Sequence, residues 1–151
     1  MGGVSVMGCI PAWAWKMIFM RDYLGEWFDH PDVTKEIRAN AEELLDRVNA
    51  LLLEADAHEV ELIENPATGT YVSGSQYGGF RPQSCTIGAV YSAHKQGQAV
   101  DIYDPHNALD NWISDGILAK FDLYREAPTA TRGWCHLGTR APRSGKRTFL
   151  P

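Results

Sequence analysis

The sequence predicts an α+β fold in which a small antiparallel sheet is flanked by helices. Three observations lead to this prediction: a long helical pattern comes first, short strand-like runs fill the middle, and a second helical pattern lies between later strand-like runs. Elements grouped in this way, rather than in strict alternation, are typical of α+β domains. At 151 residues, the chain is long enough to bury one sizeable core, so we expect a single domain over residues 1–151.

Residues 33–57 carry the clearest helical pattern. Apolar residues recur there at steps of three and four, which places them on one face of a helix. They are Ile37, Ala41, Leu44, Leu45, Val48, Leu51 and Leu52. Either Asp32 or Thr34 is expected to cap the start of this helix, because both side chains can accept a hydrogen bond from a free backbone N–H group.

The rest of the chain predicts short strands and one more helix. Glycine, serine and proline separate short alternating runs over residues 61–82, among them Thr70, Tyr71 and Val72, which predicts short strands and turns. The stretches "QAVDIYD" and "RGWCHLGTR" predict two further strands, and residues 107–121 predict a helix that contains a glycine.

Composition excludes some classes of protein. Apolar residues make up 44% of the chain and charged residues 22%, which is typical of a soluble globular protein. The net charge of −5 does not favour nucleic acid as a partner. Residues 141–151 are basic, and we expect a solvated tail there, with contact to an anionic polymer as the alternative.

Cysteine usage and the N-terminal residues bear on location. Three cysteines without a CxxC spacing argue against a disulfide framework and slightly favour a reducing compartment. The apolar N-terminal run is interrupted by Pro11, lacks a preceding basic residue and is too short to cross a bilayer. We expect an N-terminal arm over residues 1–20, with a signal sequence as the alternative, no membrane association and a monomer.

The stretch "SAHKQGQAVDIYD", residues 92–104, is the first indication of a metal site. Imidazole and carboxylate groups are good zinc ligands, and a catalytic zinc keeps three protein ligands and one open position. Side chains alternate along a strand, so Asp101 lies on the face opposite Val100 and Ile102. Gly97 provides a turn that can bring His94 back over Asp101. A surface turn leading into an ordinary strand is the alternative.

The stretch "GWCHLG" supplies a third ligand on a second strand. Alternation puts Trp134 and His136 on one face and turns Cys135 into the core on the other. The predicted zinc ligands are therefore His94, Asp101 and His136. The remaining histidines have no such partner pattern and are predicted to be structural: His30, His58 and His106.

These motifs resemble a known family. Ser92-x-His94-x-x-Gly97-x-Ala99-x-Asp101 followed by Trp-x-His is similar to the zinc D-alanyl-D-alanine carboxypeptidases and L-alanyl-D-glutamate endopeptidases, whose fold is shared with the Sonic hedgehog signalling domain. The upstream "SGSQYGGFRP" is similar to an arginine-bearing segment of that family. The motifs span residues 72–137, roughly half of the chain, in matching order.

The resemblance implies a zinc peptidase of the hedgehog/DD-peptidase fold that cleaves peptidoglycan peptides of the bacterial cell wall. It implies that Arg81 contacts substrate or the developing oxyanion, and that Ser92 contacts substrate or fixes its loop, a turn serine being the alternative. The C-terminal sequence and the absence of a clear export signal resemble a phage or prophage branch. Such a protein would stay in the host cytoplasm before release to the cell wall, or be part of the virion.

One position departs from the family pattern. The family usually has Glu or Asp as general base three residues before the last histidine ligand, where this chain has Gly133. The first candidate to replace it is Glu126, expected on the loop before the second strand, with an exposed loop acid as the alternative. Asp122 and Asp104 are weaker candidates. Trp134 is predicted to be a wall of the substrate site, since it shares a face with His136.

The same departure leaves a second function open. A domain that lacks the usual acid could bind zinc without efficient turnover. The alternative prediction is therefore a catalytically weak or inactive zinc-containing module that binds the cell wall or forms part of a virion.

Overall fold

The structure, a computed structural model, describes residues 17–89 and 91–151. Most of the predicted N-terminal arm lies outside these residues. Within them, Ile18 is fully buried, and the side chain of Asn49 bonds both backbone groups of Ile18. The described helices include none that is long and apolar enough to cross a membrane.

The predicted first helix is confirmed. Helix α1 (Met20–Leu24) and a 3-10 turn (Gly25–Trp27) precede α2, which runs over Lys35–Ala57. The hydroxyl of Thr34 caps α2 by accepting from the backbone N–H of Ile37, whereas Asp32 accepts from the N–H of Gln83. The predicted apolar face is buried with the exception of Ile37, which is half-buried.

The predicted second helix is divided into two. Helices α3 (Ala108–Trp112) and α4 (Asp115–Phe121) are separated at Ile113, whose backbone is extended. The Ser114 hydroxyl accepts from the N–H of Ile117 and so caps a new helix. A serine side chain that competes for backbone N–H groups favours such a start over a continuous helix.

The sheet has four strands: β1 (Ala99–Tyr103), β2 (Tyr124–Glu126), β3 (Trp134–Gly138) and β4 (Thr148–Phe149). Their order is β1-β3-β2-β4. The central pairings are antiparallel, but β4 runs parallel to β2. The sheet is therefore mixed, and the prediction of an antiparallel sheet is wrong at this edge.

Strand β4 comes from the segment predicted to be a solvated basic tail. Backbone bonds join Arg125 N–H to the carbonyl of Arg147 and Ala127 N–H to that of Phe149. The Arg147 guanidinium bonds Asp122 and lies 4.4 Å from the centre of the Tyr124 ring. Charge pairing and strand pairing thus hold part of this basic segment against the sheet.

Residues 61–82 form a long connection rather than the predicted strands. Isolated bridges join Asn65 to Thr70 and Val72 to Ile102. The connection then passes close to α1: a Cβ atom at Gly79 would lie 2.0 Å from the carbonyl oxygen of Tyr23. Only glycine permits that approach, which brings residues 77–81 alongside β1.

One face of the sheet is buried in the core. Four strand residues belong to the same hydrophobic cluster as the buried face of α2: Val100, Ile102, Cys135 and Leu137. Cys135 is fully buried, as predicted. The other face of the sheet carries Asp101 and His136, and it is there that the candidate site forms.

Candidate metal centre

Two of the three predicted ligands meet across the β1–β3 pair. Asp101 lies directly opposite His136 in the antiparallel register, so their side chains share a face, as alternation along both strands predicts. The Nδ1 atom of His136 lies 2.8 Å from Oδ1 of Asp101. The sheet itself therefore holds this imidazole and this carboxylate in contact.

The third predicted ligand comes from a 3-10 turn (Ala93–Gln96) that precedes β1. Gly97 ends the turn in the left-handed conformation, with φ of 72°. A Cβ atom at Gly97 would lie 2.7 Å from the carbonyl oxygen of Ile37 in α2, so glycine also allows the turn to lie against that helix. This path returns His94 over β1, and its Nε2 atom lies 3.5 Å from Oδ1 of Asp101.

The three side chains form a group that could bind a metal ion. One potential ligand atom from each of His94, Asp101 and His136 lies within 4.8 Å of the others, and all three residues are shielded from solvent. The Nδ1 atom of His94 lies 2.8 Å from the carbonyl oxygen of Gly79. A carbonyl only accepts hydrogen bonds, so Nδ1 carries a proton, and Nε2 is the ring nitrogen that faces Asp101.

Burial and neighbouring charge shift the pKa of Asp101, and that of His136, in opposite directions. Burial would raise the pKa of the Asp101 carboxyl, but the facing His94 and His136 imidazoles outweigh burial and hold it well below its usual range. Burial would lower the pKa of His136, yet its bond to Asp101 and the negative charge there raise it. Without a metal, the site is therefore held together by a carboxylate between two imidazoles.

Residues 77–81 surround the site from the side of α1. The Gly78 carbonyl accepts from the N–H of Asp101, and the N–H of Arg81 donates to the carbonyl of His94. The Arg81 side chain donates from Nε to the Tyr77 carbonyl, and its terminal nitrogen Nη2 lies 3.6 Å from Oδ2 of Asp101. The predicted arginine thus lies beside the candidate carboxylate ligand, and its bond to Tyr77 fixes its orientation.

Glu126 also reaches the site, although not from a loop as predicted. It belongs to β2, where the pairing of Arg125 with Leu137 places it beside His136 on the same face of the sheet. Its Oε1 atom lies 3.9 Å from Nδ1 of His136. A second carboxylate therefore lies next to the candidate ligands, and it comes from β2, which carries none of them.

Gly133 occupies a turn in which a side chain is disfavoured. Its φ is 93°, a region that residues with a Cβ atom rarely adopt. Its backbone N–H bonds the Asn107 side chain, and its carbonyl accepts from the N–H of Asp104. The local backbone, rather than a lack of space, explains why no acid stands at this position.

A cavity of about 530 Å³ opens over the group. The predicted contact residues Arg81, Ser92 and Trp134 line it, together with Tyr124 and Phe149. The site therefore combines candidate ligands, a carboxylate, a guanidinium and aromatic walls around one cavity.

The weaker acid candidates lie elsewhere. The Asp104 carboxylate accepts from the N–H groups of Leu109 and Asp110 at the start of α3. Asp122 follows α4 and pairs with Arg147. Both carboxylates therefore have structural partners away from the cavity.

Two of the predicted structural histidines have local backbone partners. The Nδ1 atom of His30 accepts from the N–H of Asp32, and that of His58 lies 2.9 Å from the carbonyl of Glu54.

Three residues that shape the site are not predicted by any sequence pattern: Gly79, Tyr124 and Phe149. Tyr124 and Glu126 alternate around Arg125, but because Arg125 is itself buried, the run lacks the apolar-polar pattern of a half-buried strand. Phe149 lies in a strand of only two residues, too short for any periodic signal. Gly79 is important for its carbonyl, which no side-chain motif reveals.

Comparisons with models of protein families, with curated proteins and with solved structures give no match to this chain.

Proposed function

We propose that the protein is a zinc-dependent peptidase that hydrolyses peptide bonds in bacterial peptidoglycan peptides. It would be of the D-alanyl-D-alanine carboxypeptidase or peptidoglycan endopeptidase type and would have the hedgehog/DD-peptidase fold. The observation that carries the proposal is the buried His94–Asp101–His136 group in a cavity that also holds a second carboxylate, Glu126. The substrate class rests on the resemblance of the motifs.

Zinc fits the donor set. Two imidazole nitrogens and one carboxylate oxygen are ligands that zinc accepts, whereas calcium and magnesium prefer sites built from oxygen. Three protein ligands would leave a position for water or substrate, as in catalytic zinc sites. When bound, zinc supplies Lewis acidity, which polarises a carbonyl group and makes water a better nucleophile.

Groups of the protein itself would transfer the proton, stabilise the oxyanion and orient a metal ligand. Oε1 of Glu126, 3.9 Å from Nδ1 of His136, is placed to take a proton from the attacking water and pass it to the leaving amine. The Arg81 guanidinium can donate to the carbonyl oxygen as that oxygen gains negative charge. The Gly79 carbonyl holds the proton on Nδ1 of His94 and so keeps Nε2 free to bind metal.

The test of this proposal is Glu126→Gln. The amide keeps the size of the side chain but cannot act as a base, so we expect cleavage of purified peptidoglycan to fall by about 10²–10⁴-fold while bound zinc is retained. Mass spectrometry of the released peptides identifies the bond that is cut. Glu42→Gln, an exposed substitution on α2, is the matched control and should leave cleavage unchanged.

Gly133 favours a second candidate function. Because the usual acid position has no side chain, the chain could instead be a zinc-containing module that binds cell wall or forms part of a virion. In that case, zinc-loaded wild type and Glu126→Gln would bind peptidoglycan equally and release no new termini. If wild type cleaves peptidoglycan and Glu126→Gln does not, the module is excluded.

We further propose a phage or prophage setting, in which the protein is either a lysis enzyme released from the host cytoplasm to the cell wall or a virion component. Its support is the resemblance of the C-terminal sequence. Detection of the protein in purified virions would separate the two routes.

A further inference from the structure

The floor of the cavity is a row of side chains that runs across the sheet. The strand pairings place Asp101, His136, Glu126 and Phe149 next to one another in this order. Arg81 lies at the Asp101 end of the row. The row therefore has a guanidinium at one end and an aromatic ring at the other, with the candidate ligands and Glu126 between them.

The Phe149 ring occupies a defined position at its end of the row. It meets the His136 ring edge to face, with centroids 6.4 Å apart and planes at 90°. The carbonyl of Phe149 accepts from the N–H of Ala127 at 2.7 Å. Behind the sheet, the buried Arg125 side chain donates to the hydroxyl of Thr148 at 3.0 Å. The bonds to β2 and on the core face of the sheet therefore fix the backbone of β4, and the contact with His136 orients the ring as a wall of the cavity.

The chemistry of this end suits an uncharged side chain. An aromatic ring offers dispersion contacts and apolar surface, and the Glu126 carboxylate next to it repels an acidic group. Two guanidinium groups line the cavity. Arg81 stands at the opposite end of the row, and Arg140 already donates to the Gln98 side chain and to the Tyr91 carbonyl. An acidic side chain placed against Phe149 would therefore lose its hydration without gaining a counter-ion.

We propose that Phe149 is a specificity-determining residue that forms a subsite for an uncharged, apolar side chain next to the scissile bond. This inference rests on the proposed peptidase function. It assigns to β4 a role in substrate choice that is distinct from metal binding and proton transfer.

The experiment begins with wild type and purified peptidoglycan, and mass spectrometry identifies the bond that is cut. Synthetic peptides spanning that bond then carry alanine, leucine or aspartate at each flanking position in turn. Kinetics are compared for wild type, Phe149→Ala and Phe149→Leu. The control is Leu150→Ala, which removes an exposed neighbour of Phe149. Calorimetry measures binding of the same peptides to Glu126→Gln with and without Phe149→Ala.

At one flanking position, Phe149→Ala should lower kcat/KM for the alanine and leucine peptides by about 10- to 100-fold. The effect should be mainly on KM, because the lost apolar contact weakens the binding of substrate and of transition state equally. The aspartate peptide should change much less, so the preference for apolar residues should shrink. Dissociation constants in the Glu126→Gln background should rise in parallel. Phe149→Leu, which keeps apolar bulk, should retain most of the preference, and Leu150→Ala all of it.

The two proposals fail in different ways. If wild type cleaves peptidoglycan but Phe149→Ala keeps the same kcat/KM, binding and preference, Phe149 does not select substrate and the subsite is overturned alone. If wild type releases no peptides from peptidoglycan, the peptidase function is wrong and the subsite falls with it.

Discussion

At the scale of single residues, the site depends on backbone groups as much as on its three candidate ligands. His94 is oriented by the carbonyl of Gly79 at 2.8 Å, and the N–H of Asp101 is held by the carbonyl of Gly78. Outer partners of this kind fix the tautomer and the ring orientation of a ligand histidine. The glycines at 78 and 79 are therefore part of the site, although they contribute no side chain.

Gly79→Ala is expected to weaken metal binding. The added methyl group would lie 2.0 Å from the carbonyl oxygen of Tyr23, so the backbone must shift and the carbonyl that orients His94 must move with it. We expect a loss of about 10- to 100-fold in zinc affinity, the usual cost of disturbing an outer partner of a metal ligand. Competition with a chromogenic chelator measures it.

Gly116→Ala is the matched control for this substitution. Gly116 lies inside α4, and an added methyl there meets only the Ser114 hydroxyl at 3.6 Å. Zinc affinity should be unchanged in this variant. Equal affinity in Gly79→Ala and wild type would mean that the Gly79 carbonyl does not position His94.

Among the secondary-structure elements, the long helix α2 is determined by features of its own sequence. Its start is set by the Thr34 hydroxyl, and its buried face follows from residues three and four apart. Thr34→Ala removes the cap and leaves an N–H group without that partner, so we expect a loss of about 0.5–2 kcal/mol in the free energy of unfolding.

Urea unfolding measures this loss, and Thr34→Ser, which keeps the hydroxyl, should remain close to wild type. If Thr34→Ala is as stable as Thr34→Ser, the hydroxyl does not contribute to the start of α2.

Elements with such local signals could be predicted from the sequence, and those that depend on distant partners could not. In the strands Ala99–Tyr103 and Trp134–Gly138, side chains alternate between the two faces of the sheet, and this alternation predicts that Asp101 and His136 lie on the face away from the core. Strand β4 exists through its pairing with β2, and a two-residue strand has no period of its own. Glu126 was identified as a candidate, but its strand could not be, because its neighbour Arg125 is buried by partners far along the chain.

At the scale of the whole molecule, stability and metal binding should respond to pH in opposite ways. The Asp101 pKa is lowered from 3.8, so its contribution is present above that pH and is lost as pH falls through the lower folded value. The His136 pKa is raised from 6.5, so its contribution is present below that pH and is lost as pH rises through the higher folded value. Without metal, this pair contributes most between pH 3.8 and 6.5.

We therefore expect the free energy of unfolding of the metal-free protein to fall as pH rises through the folded pKa of His136. Zinc should reverse this trend, because binding requires the His136 proton to leave and so becomes tighter as pH rises. Urea unfolding between pH 5 and 8, with and without zinc, measures both effects (the range brackets the usual histidine pKa of about 6.5). His136→Ala should show neither trend, and an identical pH profile in this variant would contradict the assignment.

The metal content of the purified protein decides whether His94, Asp101 and His136 form a zinc site. After zinc loading and removal of excess ion, elemental analysis should find one zinc ion per chain in wild type and none retained in His94→Ala, Asp101→Ala or His136→Ala. His58→Ala, which removes an exposed histidine, should keep the full amount. If the three ligand variants retain as much zinc as wild type, His94, Asp101 and His136 are not the metal site, and the peptidase proposal loses its basis.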